Sequence, residues 1–297
     1  MENLQELINV HIPVMSTEAL NCLNIQPEGT YIDGTIGAGG HATQILSKLS
    51  SKGKLIGVDR DAKALEICYE RFRSSAHKIS LHHSSYHNLP KIMQANSLSK
   101  ASGILLDLGI SSLQLDSTNR GFSYQTDSLI DMRFDQTKGE TAVNIINRLT
   151  EKELADIIYN FGEERRSRRI SKSIKKIKNL SSTMDLKEAI RKSTPPHQRN
   201  KTHSRVFQAI RIAVNGEIDR LMNFLKIFLD YLEIGGRLVI ISYHSIEDRI
   251  VKHSFRQLKR ENKVQLLTKK PLTPSTDEIN HNRRSRSAKI RALEKIV

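Results

Sequence analysis

Residues 30 to 41 read TYIDGTIGAGGH: a short apolar run ends at Asp33 and passes into a glycine loop that precedes a helical pattern. The apolar run is typical of a buried strand. The glycine loop lets the backbone approach a ligand closely and points N–H groups at it. Strand, loop and helix in this order indicate the start of a nucleotide-binding α/β sheet, although glycine loops also occur in turns that bind nothing.

Further short apolar runs extend this pattern along the chain. They are KLIGVD (54–59), KISLHH (78–83), GILLDL (103–108), RLVIIS (237–242) and KVQLLT (263–268). A helical pattern at 61–73, with Asp61 as its expected N-cap, separates two of them. Strands that alternate with helices predict a parallel sheet with crossover helices, so the expected fold class is α/β.

The middle of the chain lacks strand signals. Polar residues follow position 110, and Thr150 with Glu153 then has the spacing of a capping box ahead of helical segments, one of them at 163–178. We therefore interpret residues 1–112 and 206–297 as one α/β domain. It is interrupted by an inserted, mainly helical domain, residues 113–205, whose expected role is substrate recognition.

The composition excludes several classes of protein. The chain has 297 residues but only two cysteines, Cys22 and Cys68, which are too few for a disulfide framework or a cysteine-based zinc site. The histidines lack the spacing of metal ligands, so we expect no metal site. No apolar run reaches the length of a membrane span and the first residues do not resemble a signal peptide, so we expect no membrane association and a cytoplasmic location.

The net charge of +15 is concentrated in two segments. Residues 160–211 contain 15 basic and 4 acidic residues, and residues 252–297 contain 13 basic and 4 acidic residues. Basic residues confined to particular segments are typical of proteins that bind a polyanion, because each Lys or Arg placed on a phosphate releases counterions. The charge predicts nucleic-acid binding, and a solvated face that only aids solubility is the alternative.

Asp59, at the end of the second predicted strand, strengthens the nucleotide-binding interpretation. In doubly wound sheets an acid at this place reaches the ribose hydroxyls of the ligand. Gly37, Gly39 and Gly40 form G-x-G-G and not the G-x-G-x-x-G of dinucleotide sites. This departure favours S-adenosylmethionine over NAD as the cofactor.

Longer blocks of sequence carry a more specific signal. They include DGTIGAGGH (33–41), DLGISSLQLD (107–116), DMRFD (131–135), FQAIRIAVN (207–215) and GGRLVIISYHSIEDRIVK (235–252). Together with shorter blocks from HIPV (11–14) to RSAKIRALE (286–294), they closely resemble the bacterial small-subunit ribosomal RNA cytosine N4-methyltransferases of the MraW type. The resemblance covers nearly the whole chain. It implies a Rossmann-like, S-adenosylmethionine-dependent methyltransferase sheet with an inserted helical domain that helps to recognise RNA.

The resemblance also implies which residues bind the cofactor. These are Gly39, Gly40 and His41 in the loop, Asp59 on the ribose, Tyr86, Asp107 and Gln114. Tyr86 stands where relatives often have phenylalanine, and either ring can stack on adenine. The run KTHSRVFQAIRI (201–212) is shorter than its counterpart in many relatives.

Asp107 and His244 are the candidate catalytic residues, because each follows a predicted strand. The exocyclic amine of cytosine is a poor nucleophile, since its lone pair is delocalised into the ring, and oxygen acceptors for its hydrogens can localise that pair. Asp107 could be such an acceptor, could serve the cofactor alone, or could cap the next turn. His244 could contact the target base or a phosphate, or could bond inward as a structural histidine.

Several residues are expected to contact RNA. Tyr243 could stack on an unpaired base, and the expected phosphate contacts are Arg165, Arg166, Arg168, Arg169 and Lys201. The basic residues between 165 and 178 cannot all share one face of a helix, so some are expected to be only solvated.

These observations predict transfer of a methyl group from S-adenosylmethionine to a cytosine amine in 16S rRNA of the small (30S) ribosomal subunit. The target base must be unstacked for the reaction. A DNA amino-methyltransferase and a non-catalytic, RNA-binding ribosome-assembly factor remain as alternatives. No stable protein partner is implied, and a homodimer is left open.

Overall fold

Seven strands form one sheet in the computed structural model, which describes residues 13–297 apart from the side chain of Ser112. The strands are β1 (Thr30–Asp33), β2 (Lys54–Asp59), β3 (Ile79–His83), β4 (Ala101–Asp107), β5 (Leu232–Ser242), β6 (Val264–Leu266) and β7 (Lys289–Lys295). Their order across the sheet is β3-β2-β1-β4-β5-β7-β6. Neighbours from β3 to β5 are parallel, and β7 is antiparallel to both β5 and β6.

This strand order is the Rossmann-like, doubly wound arrangement that the resemblance implied. The order of the strands along the chain reverses between β1 and β4, which lie side by side. In open sheets of this kind, ligands bind outside the carboxyl ends of the strands at the point of reversal. The candidate site is therefore expected where β1 and β4 end.

Four helices belong to the first part of the chain. They are α1 (Ser16–Leu23), α2 (Gly40–Lys48), α3 (Ala62–Arg71) and α4 (Leu89–Ala95). Asp61 is the N-cap of α3, as predicted, and its side chain accepts a hydrogen bond of 3.2 Å from the N–H of Lys63. Of the HIPV block, His11 and Ile12 lie outside the described residues.

The next six helices belong to a second compact unit, residues 112–218, which we call the helical unit. They are α5 (Ser112–Asp116), α6 (Ala142–Arg148), α7 (Glu151–Gly162), α8 (Ser167–Lys175), α9 (Thr183–Lys192) and α10 (Arg199–Asn215). Thr150 and Glu153 form the expected capping box at the start of α7: each side chain accepts a hydrogen bond from the other residue's N–H, at 3.2 and 2.8 Å.

Helix α10 places the second domain boundary later than the expected position 205. The helix packs against α7 at Gly162, where a Cβ would lie 2.7 Å from the carbonyl oxygen of Arg205. Its last residue, Asn215, also holds the DMRFD block, accepting a hydrogen bond from the N–H of Phe134 at 2.8 Å and donating one to the carbonyl of Met132 at 2.7 Å. A boundary at 205 would cut through this helix, so all of α10 belongs to the helical unit.

The chain then returns to the unit that contains the sheet, which we call the sheet unit. It adds α11 (Glu217–Ile227), whose first two residues still belong to the helical unit, α12 (Ser245–Arg260) and α13 (Thr276–His281). In β4, Ile104 and Leu106 pack with residues of α4, α11 and α12, and Leu105 packs with residues of α1, α2 and α3 on the other face. Because both faces are covered, the strands read as continuous apolar runs. Among the helices of residues 13–297, none has the length and hydropathy of a membrane span.

Candidate functional site

Asp33 and Asp107 end the neighbouring strands β1 and β4, and Thr35 links the two strand ends. The N–H of Asp107 donates to the hydroxyl of Thr35 at 2.7 Å, and the N–H of Thr35 donates to Oδ1 of Asp33 at 3.2 Å. Two carboxylates are therefore fixed at the point where the strand order reverses. Asp107 was predicted from the sequence and Asp33 was not, although an acid at the end of the first predicted strand was a visible signal.

His41 lies beside both carboxylates. It is the second residue of α2 and is 6% exposed, and its Nε2 is 3.7 Å from Oδ2 of Asp107. Within the part of the chain that the structure describes, neither ring nitrogen of His41 has a hydrogen-bond partner, and neither does Oδ1 of Asp107. Buried polar atoms without partners are costly, so Nδ1 of His41 and Oδ1 of Asp107 are available to a ligand.

The charges of this cluster shift the pKa values of its members. Burial, reinforced by the charges of Asp107 and Asp59, raises the pKa of Asp33 to about 7. Burial lowers the pKa of His41, but the Asp107 carboxylate and the charge of Asp33 outweigh it, so the pKa of His41 is raised. An imidazolium is disfavoured at a helix N-terminus by the helix dipole. The two carboxylates therefore favour the protonated form of His41, against both burial and the dipole.

Tyr243 forms a wall of the same site. It follows β5, and its ring lies over Gly109, where a Cβ would be 2.7 Å from the ring. Its hydroxyl faces the Asp107 carboxylate, and burial together with that negative charge raises the pKa of Tyr243 well above its usual value. The hydroxyl is therefore protonated and able to donate to Asp107. This packing favours a role beside Asp107 over the predicted stacking on an RNA base.

Asp59 holds the glycine loop by accepting hydrogen bonds from backbone N–H groups. Its Oδ2 accepts a hydrogen bond from the N–H of Gly37 at 2.8 Å, and its Oδ1 accepts one from the N–H of Asp61 at 2.8 Å. The thiol of Cys68 donates to the carbonyl of Gly37 at 3.2 Å. Both backbone groups of Gly37 are thus held, and burial raises the pKa of Asp59 to about 6 despite its N–H donors. Contact of Asp59 with a ribose stays a prediction.

The other four residues predicted to bind the cofactor lie at separate places in the fold. Gly39 has φ 84°, in the left-handed region, and a Cβ there would lie 2.7 Å from the ring of Phe72. Gly40 is the first residue of α2. The ring of Tyr86 meets the ring of Phe224 edge to face, with centroids 5.5 Å apart. Gln114 lies on α5 in the helical unit and is buried. Their contacts with a cofactor stay predictions.

His244 is the N-cap of α12. Its Nδ1 accepts a hydrogen bond from the N–H of Glu247 at 3.3 Å, and its Nε2 lies 3.2 Å from Oε1 of the same residue. Glu247 in turn accepts a hydrogen bond from the N–H of Tyr243 at 3.1 Å. This geometry matches the structural alternative for His244, and it fixes the backbone that carries Tyr243.

Glu278 is a further residue that sequence reasoning missed. It lies on α13, between β6 and β7, and its Oε1 accepts a hydrogen bond of 2.6 Å from the N–H of Met15. Its charge acts on both His41 and Tyr243. No local pattern signals this role, because it depends on the pairing of β7 with β5 and β6.

The basic residues of the helical unit fall into two groups: some are exposed, and others make contacts within the unit. Helix α8 buries Ser167, Ile170, Ser171 and Ile174. Arg165, Arg168, Arg169 and Lys201 are exposed, and none of the four has a carboxylate partner within the described residues.

Two other basic side chains of this region are engaged within the unit. Arg166 is half-buried between Glu164 and Gln198. Lys175 donates to the carbonyls of Ile146 and Asn147, at the end of α6. RNA contact of the exposed basic residues stays a prediction, and so does the expectation that some of them are only solvated.

The chain is similar to a family of methylases over almost its whole length. Residues 9–296 match the model of the MraW methylase family. The chain is 46% identical over 290 residues to ribosomal RNA small subunit methyltransferase H of Thermosipho africanus, covering 96% of this chain and 98% of that protein. It is 42% identical over 305 residues to the protein of that name from Caldicellulosiruptor saccharolyticus, covering 96% and 99%. For Kosmotoga olearia the identity is 43% over 291 residues, covering 96% and 97%.

Proposed function

This chain belongs to the MraW methylase family, and from that membership we propose that it transfers a methyl group from S-adenosylmethionine to the exocyclic amine of a cytosine in 16S ribosomal RNA. The observation that supports this proposal most directly is the cluster of His41, Asp33 and Asp107 at the ends of β1 and β4. It lies where sheets of this type bind their ligands, and it contains buried polar atoms that lack partners in the described chain.

The residues at this site fit the proposed cofactor. S-adenosylmethionine carries a positive sulfonium and a positive amino group, and Asp33, Asp59 and Asp107 bring negative charge to one edge of the sheet. Burial is the largest cause of the raised pKa values of Asp33 and Asp59, and a bound cation would favour the ionised form of both carboxyl groups. We propose that the cofactor is held by Gly39, Gly40, His41, Asp59, Tyr86, Asp107 and Gln114. When bound, it supplies the methyl group.

Asp107 is the proposed catalytic residue. Its Oδ1 has no partner in the described chain, so it can accept a hydrogen bond from the cytosine amine and localise the nitrogen lone pair. As the nitrogen gains the methyl group it must lose a proton, and we propose that Oδ1 accepts that proton. His41 and Tyr243 face the same carboxylate and hold its orientation.

The proposed RNA contacts lie mainly on the exposed basic residues of the helical unit, namely Arg165, Arg168, Arg169 and Lys201. We propose the assembled or partly assembled 30S particle as the substrate, because base methylation requires an unstacked cytosine. We propose a cytoplasmic location, because ribosomal particles are found there.

Mass spectrometry of nucleosides tests the proposal. The purified protein and S-adenosylmethionine are incubated with 30S particles from cells that lack the gene, and we expect one molecule of N4-methylcytidine per particle. Asp107→Asn should lower the single-turnover rate by about 10² or more at saturating cofactor, because an amide is a weaker acceptor and no base. Methylation of DNA instead of RNA, or tight RNA binding without methylation, would replace the proposal by one of the two alternatives.

A further inference from the structure

Helix α12 presents a basic face to solvent that the proposed function leaves unused. Its inner face buries Glu247, Val251 and Phe255. The opposite face carries basic side chains at positions i, i+4, i+7 and i+11, flanked by two lysines, and we call this set the α12 basic face: Arg249, His253, Arg256 and Arg260, with Lys252 and Lys259.

The acidic residues near this face are engaged elsewhere. Asp248 pairs with Arg291 on β7, with 2.7 Å between Oδ1 and Nε, and Glu261 pairs with Lys263 at 2.7 Å. Within residues 13–297, no carboxylate lies within ion-pair distance of Arg256, Lys259 or Arg260.

Basic residues of α9 differ in this respect. Arg191 and Lys192 share Glu188, at 2.6 and 3.9 Å. The charges of Arg256, Lys259 and Arg260 are therefore not compensated by a carboxylate of the described residues, and they suit an external anion.

The position of α12 connects this face with the candidate site. The helix begins at Ser245, directly after the β5 end that carries Tyr243 beside Asp107. It then runs along the sheet, in contact with β5, β6 and β7. Its 16 residues span roughly 24 Å. An RNA strand with one nucleotide bound at Asp107 can therefore continue along the α12 basic face.

We infer that the α12 basic face binds the phosphate backbone of the RNA strand that flanks the target cytosine. This inference rests on the proposed function. A row of arginine and lysine side chains that continues over several helical turns suits a polymer with one negative charge per nucleotide, and such contacts position the strand without reading its sequence. The face carries no large apolar side chain, so it lacks the means to insert into a membrane.

Charge variants test the inference. The variant Arg256→Glu/Lys259→Glu/Arg260→Glu reverses part of the face. Arg256→Gln/Lys259→Gln/Arg260→Gln removes the same charges without placing acids at the helix end. The matched control, Lys48→Glu/Lys54→Glu/Lys91→Glu, makes the same change of net charge at exposed positions elsewhere on the sheet unit.

The measurement is fluorescence anisotropy with a labelled fragment of 16S rRNA at several salt concentrations. We expect both α12 variants to weaken binding by about tenfold or more and to lower the log–log salt slope by about 0.7–0.9 for each phosphate that the variant no longer neutralises. The control should keep the wild-type slope. Affinity for S-adenosylhomocysteine and the Tm should match wild type in all three variants, which establishes that they fold.

Two results would overturn the inference. An equal decrease of the log–log salt slope in the α12 variants and the control would mean that RNA binding depends only on the net charge of the protein. Loss of binding to the 30S particle with unchanged binding to free RNA would identify a ribosomal protein as the partner. A wild-type protein that shows the expected slopes but forms no N4-methylcytidine would support the α12 basic face and remove the proposed function, so the two failures are distinguishable.

Discussion

Tyr243 combines a packed ring with a hydroxyl that faces the site. The ring rests on Gly109, and the hydroxyl faces Asp107. Tyr243→Phe keeps the ring and removes only the donor to the carboxylate. We expect the single-turnover rate at saturating cofactor to fall by about tenfold or more, since a hydrogen bond to a charged group contributes about 1.5–3 kcal/mol. Affinity for S-adenosylhomocysteine should stay close to wild type.

Tyr69→Phe is the matched control for this variant, because Tyr69 is an exposed tyrosine on α3. Its rate should equal that of wild type. A Tyr243→Phe enzyme with normal rate but weaker RNA binding would restore the stacking role that the sequence suggested.

Asp33 and Asp59 make cofactor binding depend on pH. Their pKa values are raised to about 7 and about 6, so between their ordinary range and these values the folded chain holds protons that the unfolded chain releases. Stability from these protons is present at low pH and is lost as pH rises through about 6 to 7. A cationic ligand favours the ionised carboxylates, so affinity for S-adenosylmethionine should rise over the same range, with release of protons.

Titration calorimetry in buffers of different ionisation enthalpy measures both the affinity for S-adenosylmethionine and the number of protons released on binding. S-adenosylhomocysteine lacks the sulfonium charge and should show a weaker pH dependence. In Asp33→Asn the fall of Tm between about pH 5 and 8 should become smaller. An S-adenosylmethionine affinity that stays constant across this range would contradict the electrostatic account of the site.

At the scale of elements, apolar runs were sufficient to predict six of the seven strands. β7 was missed because KIRALEK is rich in residues that favour helices, and it becomes a strand only by pairing with β5 and β6. The site was predictable to the extent that it follows strand ends, as Asp107 and Asp59 do. The contacts of His244 and Glu278 were not, because their partners are set by the folded chain.

The glycine loop supports a prediction about its scaffold. Asp59→Asn leaves a single side-chain oxygen to accept the hydrogen bonds that the N–H groups of Gly37 and Asp61 now donate to two carboxylate oxygens. We expect affinity for S-adenosylhomocysteine to fall by about tenfold or more, and hydrogen exchange at the Gly37 amide to become faster. Asp61→Asn makes the same chemical change two residues away, where an asparagine can still cap α3, and should behave like wild type.

Unchanged exchange at Gly37 together with weaker binding would show that Asp59 acts on the cofactor alone. Unchanged affinity in Asp59→Asn would contradict both roles.

At the scale of the whole molecule, basic residues of the helical unit divide into paired and unpaired sets. Arg165→Glu/Arg168→Glu/Arg169→Glu changes residues without carboxylate partners and should reduce RNA affinity and the salt slope, the slope by about 0.7–0.9 for each phosphate that is no longer neutralised. The control, Arg148→Glu/Arg191→Glu/Lys192→Glu, makes the same change of charge at residues that already pair with Glu140 or Glu188. Cofactor affinity should not change in either variant.

Equal salt slopes for the two variants would assign the charge of the helical unit to solubility. Filter binding with 16S rRNA and calorimetry with S-adenosylhomocysteine provide the two readouts.

The adjacency of β4 and β5 has a consequence for how the protein is made. The 107 residues of the helical unit, which form a continuous segment, emerge from the ribosome between these two strands. At about 5–20 residues per second, β4 waits several seconds or longer for its neighbour, with the backbone N–H and C=O groups of one edge unpaired. The helical unit can meanwhile fold from contiguous sequence. Tyr243 and Glu278 arrive later still, so a nascent chain cannot assemble the methyl-transfer site until nearly all of it has been translated.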